Sequence, residues 1–114
     1  MDRFKARLVA QGFSQQYRAD YLETFSPTIR SKSLRLLLAI GAIEDLELRQ
    51  LDVVSAYPRS RLHATIYMRP PPGVKALSGR VLLLNNALYG LKQSGREWYI
   101  VACNGLKTLG FEPL

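Results

Sequence analysis

The run Pro70-Pro71-Pro72-Gly73 sets the strongest limit on how this chain folds. Proline fixes φ and donates no backbone hydrogen bond, so neither a helix nor a sheet ladder continues through three in a row. The chain is divided there. Residues 65–68, just before the run, mix β-branched and aromatic side chains and predict a strand that the prolines stop. Residues 81–84 predict another strand after it, with Asn85-Asn86 read as a turn.

The rest of the first half alternates between regular and irregular segments. Residues 5–11 predict a strand ended by Gly12, and residues 14–30 an irregular connection around Ser26-Pro27. Ser31 or Ser33 is placed to cap a helix running to about Leu46. Its interior, residues 34–43, is apolar almost all round, which predicts burial on most faces. Residues 48–54 predict a buried strand, antiparallel to the strand near residue 66, and residues 58–61 a basic turn. The last element is the best marked. Ser94-Gly95-Arg96-Glu97 fits a capping box, Trp98, Ala102, Leu106 and Leu109 form a helical stripe, and Gly110 stands at a C-cap position. The fold class expected is α+β, with antiparallel strands and two main helices.

One domain, or part of one, is the scale of 114 residues. Sixteen Lys and Arg stand against nine Asp and Glu, a net charge of +7 that favours polyanionic partners, chiefly nucleic acid. Cys103 and His63 are single. An internal disulfide and a multi-thiolate zinc site are therefore excluded, and the lone histidine supports neither a metal cluster nor a Ser-His-Asp arrangement. Cys103 reads as a small apolar helix residue and His63 as an exposed loop residue. The longest apolar run, residues 36–43, is too short to span a bilayer, and the charged N-terminus lacks a signal-peptide core. A soluble intracellular chain, cytoplasmic or nuclear, is expected.

Two groups of residues stand out chemically. Asp52 follows an apolar stretch in Leu51-Asp52-Val53-Val54-Ser55-Ala56-Tyr57. A carboxylate in an apolar strand is costly unless it is paired, and either a nearby Arg or a hard cation such as Mg²⁺ would serve. Arg30, Lys32 and Arg35 cluster at the start of the first helix, while Glu44, Asp45 and Glu47 cluster at its end. Both groups oppose the helix macrodipole by some tenths of a kcal/mol. A phosphate backbone is one use for such cations, and simple solvation of the helix ends is the other.

Four blocks in order, Lys5-Ala6-Arg7-Leu8-Val9-Ala10-Gln11-Gly12-Phe13, Leu51 to Tyr57, Ile66-Tyr67-Met68-Arg69-Pro70-Pro71-Pro72-Gly73 and Ala87-Leu88-Tyr89-Gly90-Leu91-Lys92-Gln93-Ser94, resemble the copia-type retrotransposon reverse transcriptase. The resemblance implies the N-terminal fingers-palm part of that polymerase domain, over residues 1–114. It implies that Asp52 is the first catalytic, metal-binding aspartate, and that the backbone of Ser55 and Ala56 lies under the incoming triphosphate. Tyr57 becomes the aromatic gate that disfavours a 2′-hydroxyl, where most relatives carry Phe. Lys5 and Arg7 become fingers cations on the triphosphate, for which a guanidinium fork is suited. Gly90 and Lys92 belong to a loop supporting the templating base and nucleotide. The intact family transfers nucleotides from dNTPs to a primer on an RNA or DNA template with two Mg²⁺ ions, Mn²⁺ serving as a substitute.

The sequence departs from the pattern in several places. Pro58-Arg59-Ser60-Arg61-Leu62-His63-Ala64 replaces a Leu-Asn-Gly-like turn and the acidic residues after it, Gly95 stands where relatives usually have proline, and Gly105 interrupts the last helix. No Asp follows Asp52, so the family's Tyr-X-Asp-Asp is missing from these residues. The expectation is a piece of a retrotransposon polyprotein, inactive alone and completed by the rest of that polyprotein. A basic nucleic-acid-binding module without catalysis and a non-functional element remnant are the alternatives.

Overall fold

In the computed structural model, which describes residue 4, residues 6–74 and residues 79–112, one antiparallel strand pair organises the packing. Strand β1 (Arg61–Met68) pairs with β2 (Leu82–Asn86), on the two sides of the proline run. Ile66 lies opposite Leu84, Tyr67 opposite Leu83 and Met68 opposite Leu82, while the register is irregular between Arg61 and Ile66. Side chains alternate between the two faces of a strand. Leu62, Ala64, Ile66 and Met68 accordingly turn to the covered face, and Arg61, His63, Thr65 and Tyr67 to solvent. Ala10, Ile66 and Leu91 form the buried core, with Leu62, Ala64, Met68, Leu84 and Leu88 packed round it.

Helix α2 (Ser94–Thr108) follows the turn after β2. The predicted Gly110 cap is present as a Schellman motif: Phe111 N–H donates to Leu106 O (3.1 Å) and Gly110 N–H to Lys107 O (3.0 Å), with Gly110 at φ +87°. The predicted capping box is not formed. Gln93 is the N-cap, and it caps with no side-chain hydrogen bond. Ser94 Oγ donates instead to Leu88 O (2.5 Å), and the Glu97 carboxylate lies 2.6 Å from His63 Nδ1. Tertiary partners on β1 and the preceding turn thus replace the local cap. His63 sits on a strand rather than in a loop, with its ring exposed.

Helix α1 (Ser31–Ile43) begins one residue beyond Arg30, its N-cap, so neither Ser31 nor Ser33 caps it. It ends at Glu44, before Leu46. The expected burial is absent: Gly41 is the one buried position, and Leu36 is 62% exposed. Among the described residues α1 packs closely on no other helix or strand.

Two predicted strands do not form. Residues 6–11 form no strand and have a single parallel bridge, Val9 to Tyr89. Residues 48–54 form no ladder and are exposed, and the pairing expected between residues near 52 and 66 is taken by β2, whose Leu84 lies opposite Ile66. A β-rich composition becomes strand only where an edge is offered. Asn85 and Asn86, expected to turn, extend β2 because Asn86 Nδ2 donates to Pro58 O (2.7 Å) and Ala87 N–H to Ser60 O (2.9 Å).

The result is open. Accessible surface is 10405 Å², where a closed monomer of this mass exposes about 6,300 Å². The radius of gyration is 18.4 Å, against about 13 Å for a compact domain of this length.

Candidate functional site

Two glycines let distant segments meet. Ala10 N–H donates to Tyr89 O (2.7 Å). At Gly90, φ +93°, a Cβ would overlap the Ala10 carbonyl oxygen and lie 2.8 Å from Val9 Cγ1. A Cβ on Gly12 would overlap the Gly90 carbonyl. Both positions need a residue without a side chain, and Gly90 also needs the left-handed backbone. Gly90, expected in a loop supporting the templating base and nucleotide, makes its close approach to the chain's own backbone.

That crossing positions Tyr89. The Arg7 guanidinium carbon lies 4.7 Å over its ring, and the Tyr57 ring centroid lies 4.9 Å away, tilted by 50°. Cation–π and tilted aromatic contacts are both favourable at these separations. Three segments far apart in sequence therefore converge on one stack.

The turn that carries Tyr57 is held at several points. Ser55 adopts φ +54°, and a short 3₁₀ turn covers Tyr57–Arg59. Arg59 Nε donates to Val54 O (3.2 Å), Ser60 N–H to Tyr57 O (2.9 Å) and Asn86 Nδ2 to Pro58 O. Pro58, a departure from the family pattern, is accommodated because a 3₁₀ start asks for no donor there. Ser60 is fully buried, and its Oγ has no partner among the described residues.

Asp52 lies just ahead of this turn and is exposed, so its carboxylate carries no burial cost that a cation must offset. It makes no ion pair with an arginine among the described residues. Ser55 is exposed and Ala56 half-buried. One carboxylate does not make a two-ion centre, and among the described residues no group of three His, Cys, Asp or Glu is placed to hold a metal.

Lys92 belongs to a different cluster from Arg7. Its Nζ is 3.3 Å from the Tyr21 hydroxyl and 5.0 Å from that ring's centroid. Arg30, Lys32 and Arg35 are exposed at the start of α1, and no hydrogen bond, ion pair or ring contact among the described residues joins them to the stack. Lys5 lies outside the described residues. Away from the stack, the neighbouring Cys103 thiol raises the pKa of Tyr99 on α2.

Several contributors were not singled out from sequence. Tyr89 is the hub of the stack, yet its only signal was its place beside Gly90. Arg59, read only as part of a basic turn, clamps the Tyr57 turn. Gln15 and Gln93 hold the segment before α2 through their side-chain amides, a role that no local pattern marks.

The family model for reverse transcriptase (RNA-dependent DNA polymerase) matches residues 1–114. Similar curated proteins include the retrovirus-related Pol polyproteins from transposons RE1 and RE2 of Arabidopsis thaliana, 45% and 43% identical over 113 residues. The corresponding polyprotein from transposon TNT 1-94 of Nicotiana tabacum is 44% identical over 100 residues. These alignments cover 97%, 97% and 86% of the chain but 8% of each relative. No solved structure gives a significant match.

Proposed function

The chain belongs to the reverse transcriptase (RNA-dependent DNA polymerase) family, and from that premise we propose that it forms the N-terminal fingers-palm part of a copia-type retrotransposon polymerase. The observation that carries the reading is the convergence of Arg7, Tyr57 and Tyr89, one from each of three separated blocks. A cation beside two aromatic rings suits a nucleoside triphosphate, with the guanidinium on phosphate and a ring against the sugar. In this reading Tyr57 is the gate, the backbone of Ser55 and Ala56 supports the triphosphate, Lys5 and Arg7 neutralise it, and Gly90 fixes the crossing behind it.

Asp52 is the aspartate this stretch contributes to catalysis. Its single carboxylate does not fit a Mg²⁺ or Mn²⁺ pair, so the remaining ligands belong to other parts of a Pol polyprotein. The exposed apolar sides of α1 and the large open surface support the same partner, because exposed apolar area of this extent marks an interaction face. Template-primer and dNTPs are substrates of the assembled enzyme, and the 114-residue chain alone is inactive. Among the described residues no helix is long and apolar enough to cross a membrane.

The test is primer extension on an RNA template with dNTPs and Mg²⁺ or Mn²⁺. The isolated chain gives no extension. A fusion to the polyprotein sequence that follows the matched stretch in a relative extends the primer. Extension by the isolated chain, lost in Asp52→Asn, would overturn the claim of inactivity alone, and a folded fusion that extends nothing would overturn the polymerase reading.

A further inference from the structure

Residues 16–21 form a closed loop that presents two tyrosines and a cation, beside a second cation from the turn before α2. Asp20 N–H donates to Gln16 O (2.9 Å), Gln16 N–H to Asp20 Oδ2 (2.7 Å) and Arg18 N–H to Tyr21 O (2.9 Å). Two glutamines fasten this loop to the start of α2. Gln15 Nε2 donates to Gln93 Oε1 (3.0 Å), Gln15 Oε1 accepts from Lys92 N–H (2.8 Å), and Gln93 Nε2 donates to Asp20 O (3.0 Å). Gln93 is only 3% exposed, so this clasp is sheltered from water.

The loop's outer face is arranged for a ligand. The Tyr17 and Tyr21 rings lie 5.7 Å apart at 58°. Arg18 stands 5.6 Å from the Tyr17 ring and Lys92 5.0 Å from the Tyr21 ring. Tyr17 is 60% exposed. Asp20 is engaged by the Gln16 amide and Glu23 by Arg96, and among the described residues neither Arg18 nor Lys92 pairs with a carboxylate. Arg18 is held at φ +70°, a backbone state that arginine adopts at a cost.

We propose that this loop is a stacking platform for single-stranded nucleic acid: the Tyr17 ring stacks on an unpaired base, and Arg18 and Lys92 contact the flanking phosphates. Aromatic rings interleaved with cations are the chemistry by which unpaired strands are held without sequence preference. A duplex keeps its base faces covered and offers only phosphates. The site deepens the polymerase reading, on which its choice of partner rests, but it lies in residues which that reading leaves without a role, Tyr17 and Arg18 above all. A fixed loop also lowers the ordering cost of binding.

The test is fluorescence anisotropy of the 114-residue chain with a short labelled oligothymidine strand, and with a duplex of equal length, over a salt series. The strand binds more tightly than the duplex. Tyr17→Ala weakens strand binding by about tenfold or more, and Tyr17→Phe keeps it, because the ring is what stacks. Arg18→Gly relieves the left-handed backbone while removing the cation, so it weakens binding with the fold intact and reduces the salt slope by about 0.7. Absence of strand binding, equal affinity for the duplex, unchanged affinity in Tyr17→Ala, or equal loss in Tyr17→Ala and Tyr17→Phe would each overturn the platform. Binding is read without nucleotides or extension. Failure here therefore leaves the extension test standing, and strand binding by a chain whose fusion extends nothing sinks the polymerase reading alone.

Discussion

Replacing Gly90 with alanine is expected to destabilise the chain by about 2–3 kcal/mol. Two effects add. An L-residue at the observed φ of +93° costs about 1–2 kcal/mol. The new methyl would also overlap the Ala10 carbonyl and stand 2.8 Å from Val9 Cγ1. Backbone cannot yield as a flexible side-chain tip does, so the crossing must part and the 2.7 Å Ala10-to-Tyr89 hydrogen bond is lost, at about 0.5–1.5 kcal/mol. Gly110 provides the control. It has nearly the same φ, +87°, with open space where a Cβ would go, so Gly110→Ala costs about 1–2 kcal/mol from φ alone. Urea unfolding followed by the fluorescence of Trp98, half-buried on α2, measures both variants. Equal losses for the two, or a Gly90→Ala effect within about 0.5 kcal/mol of the parent, would refute the crossing as described.

Gly105 sits inside α2 with nothing near its missing Cβ, so Gly105→Ala is expected to stabilise by about 1 kcal/mol in the same unfolding assay. Ser60→Ala removes a buried hydroxyl that has no partner among the described residues and is expected to be neutral or stabilising, whereas Ser94→Ala strips the Leu88 carbonyl of its 2.5 Å donor and costs about 1 kcal/mol. His63→Ala leaves the largely buried Glu97 carboxylate without its 2.6 Å partner and is expected to lower the urea midpoint by the equivalent of about 1–3 kcal/mol.

Local signals in the sequence survive where the element completes itself. Helix α2 is legible because its apolar stripe and Gly110 act within a few residues, and it appears with its Schellman end, while its polar start is held by Leu88 and His63 in place of a local cap. The β1–β2 pair was half legible, because the prolines fix where β1 ends while the partner of β1 depends on the whole chain. Residues 48–54 and 5–11 carry strand composition but find no ladder among the described residues, and composition alone does not supply an edge. The apolar helix α1 was placed to within a few residues, yet its burial was not, since burial needs a second surface. In the site, Arg7 and Tyr57 meet on Tyr89, next to Gly90. Lys92 does not join them, because the Gln15–Gln93 clasp and Tyr21 draw it to the neighbouring loop. Tyr89 and the two glutamines act through contacts across the fold, which no periodicity records.

The most direct measurement of the polymerase reading is primer extension by the fused protein carrying Asp52→Asn, beside Asp45→Asn as a control at the end of α1. The account predicts that Asp52→Asn abolishes extension while Asp45→Asn extends at the parent rate. Extension by Asp52→Asn at the parent rate would contradict it.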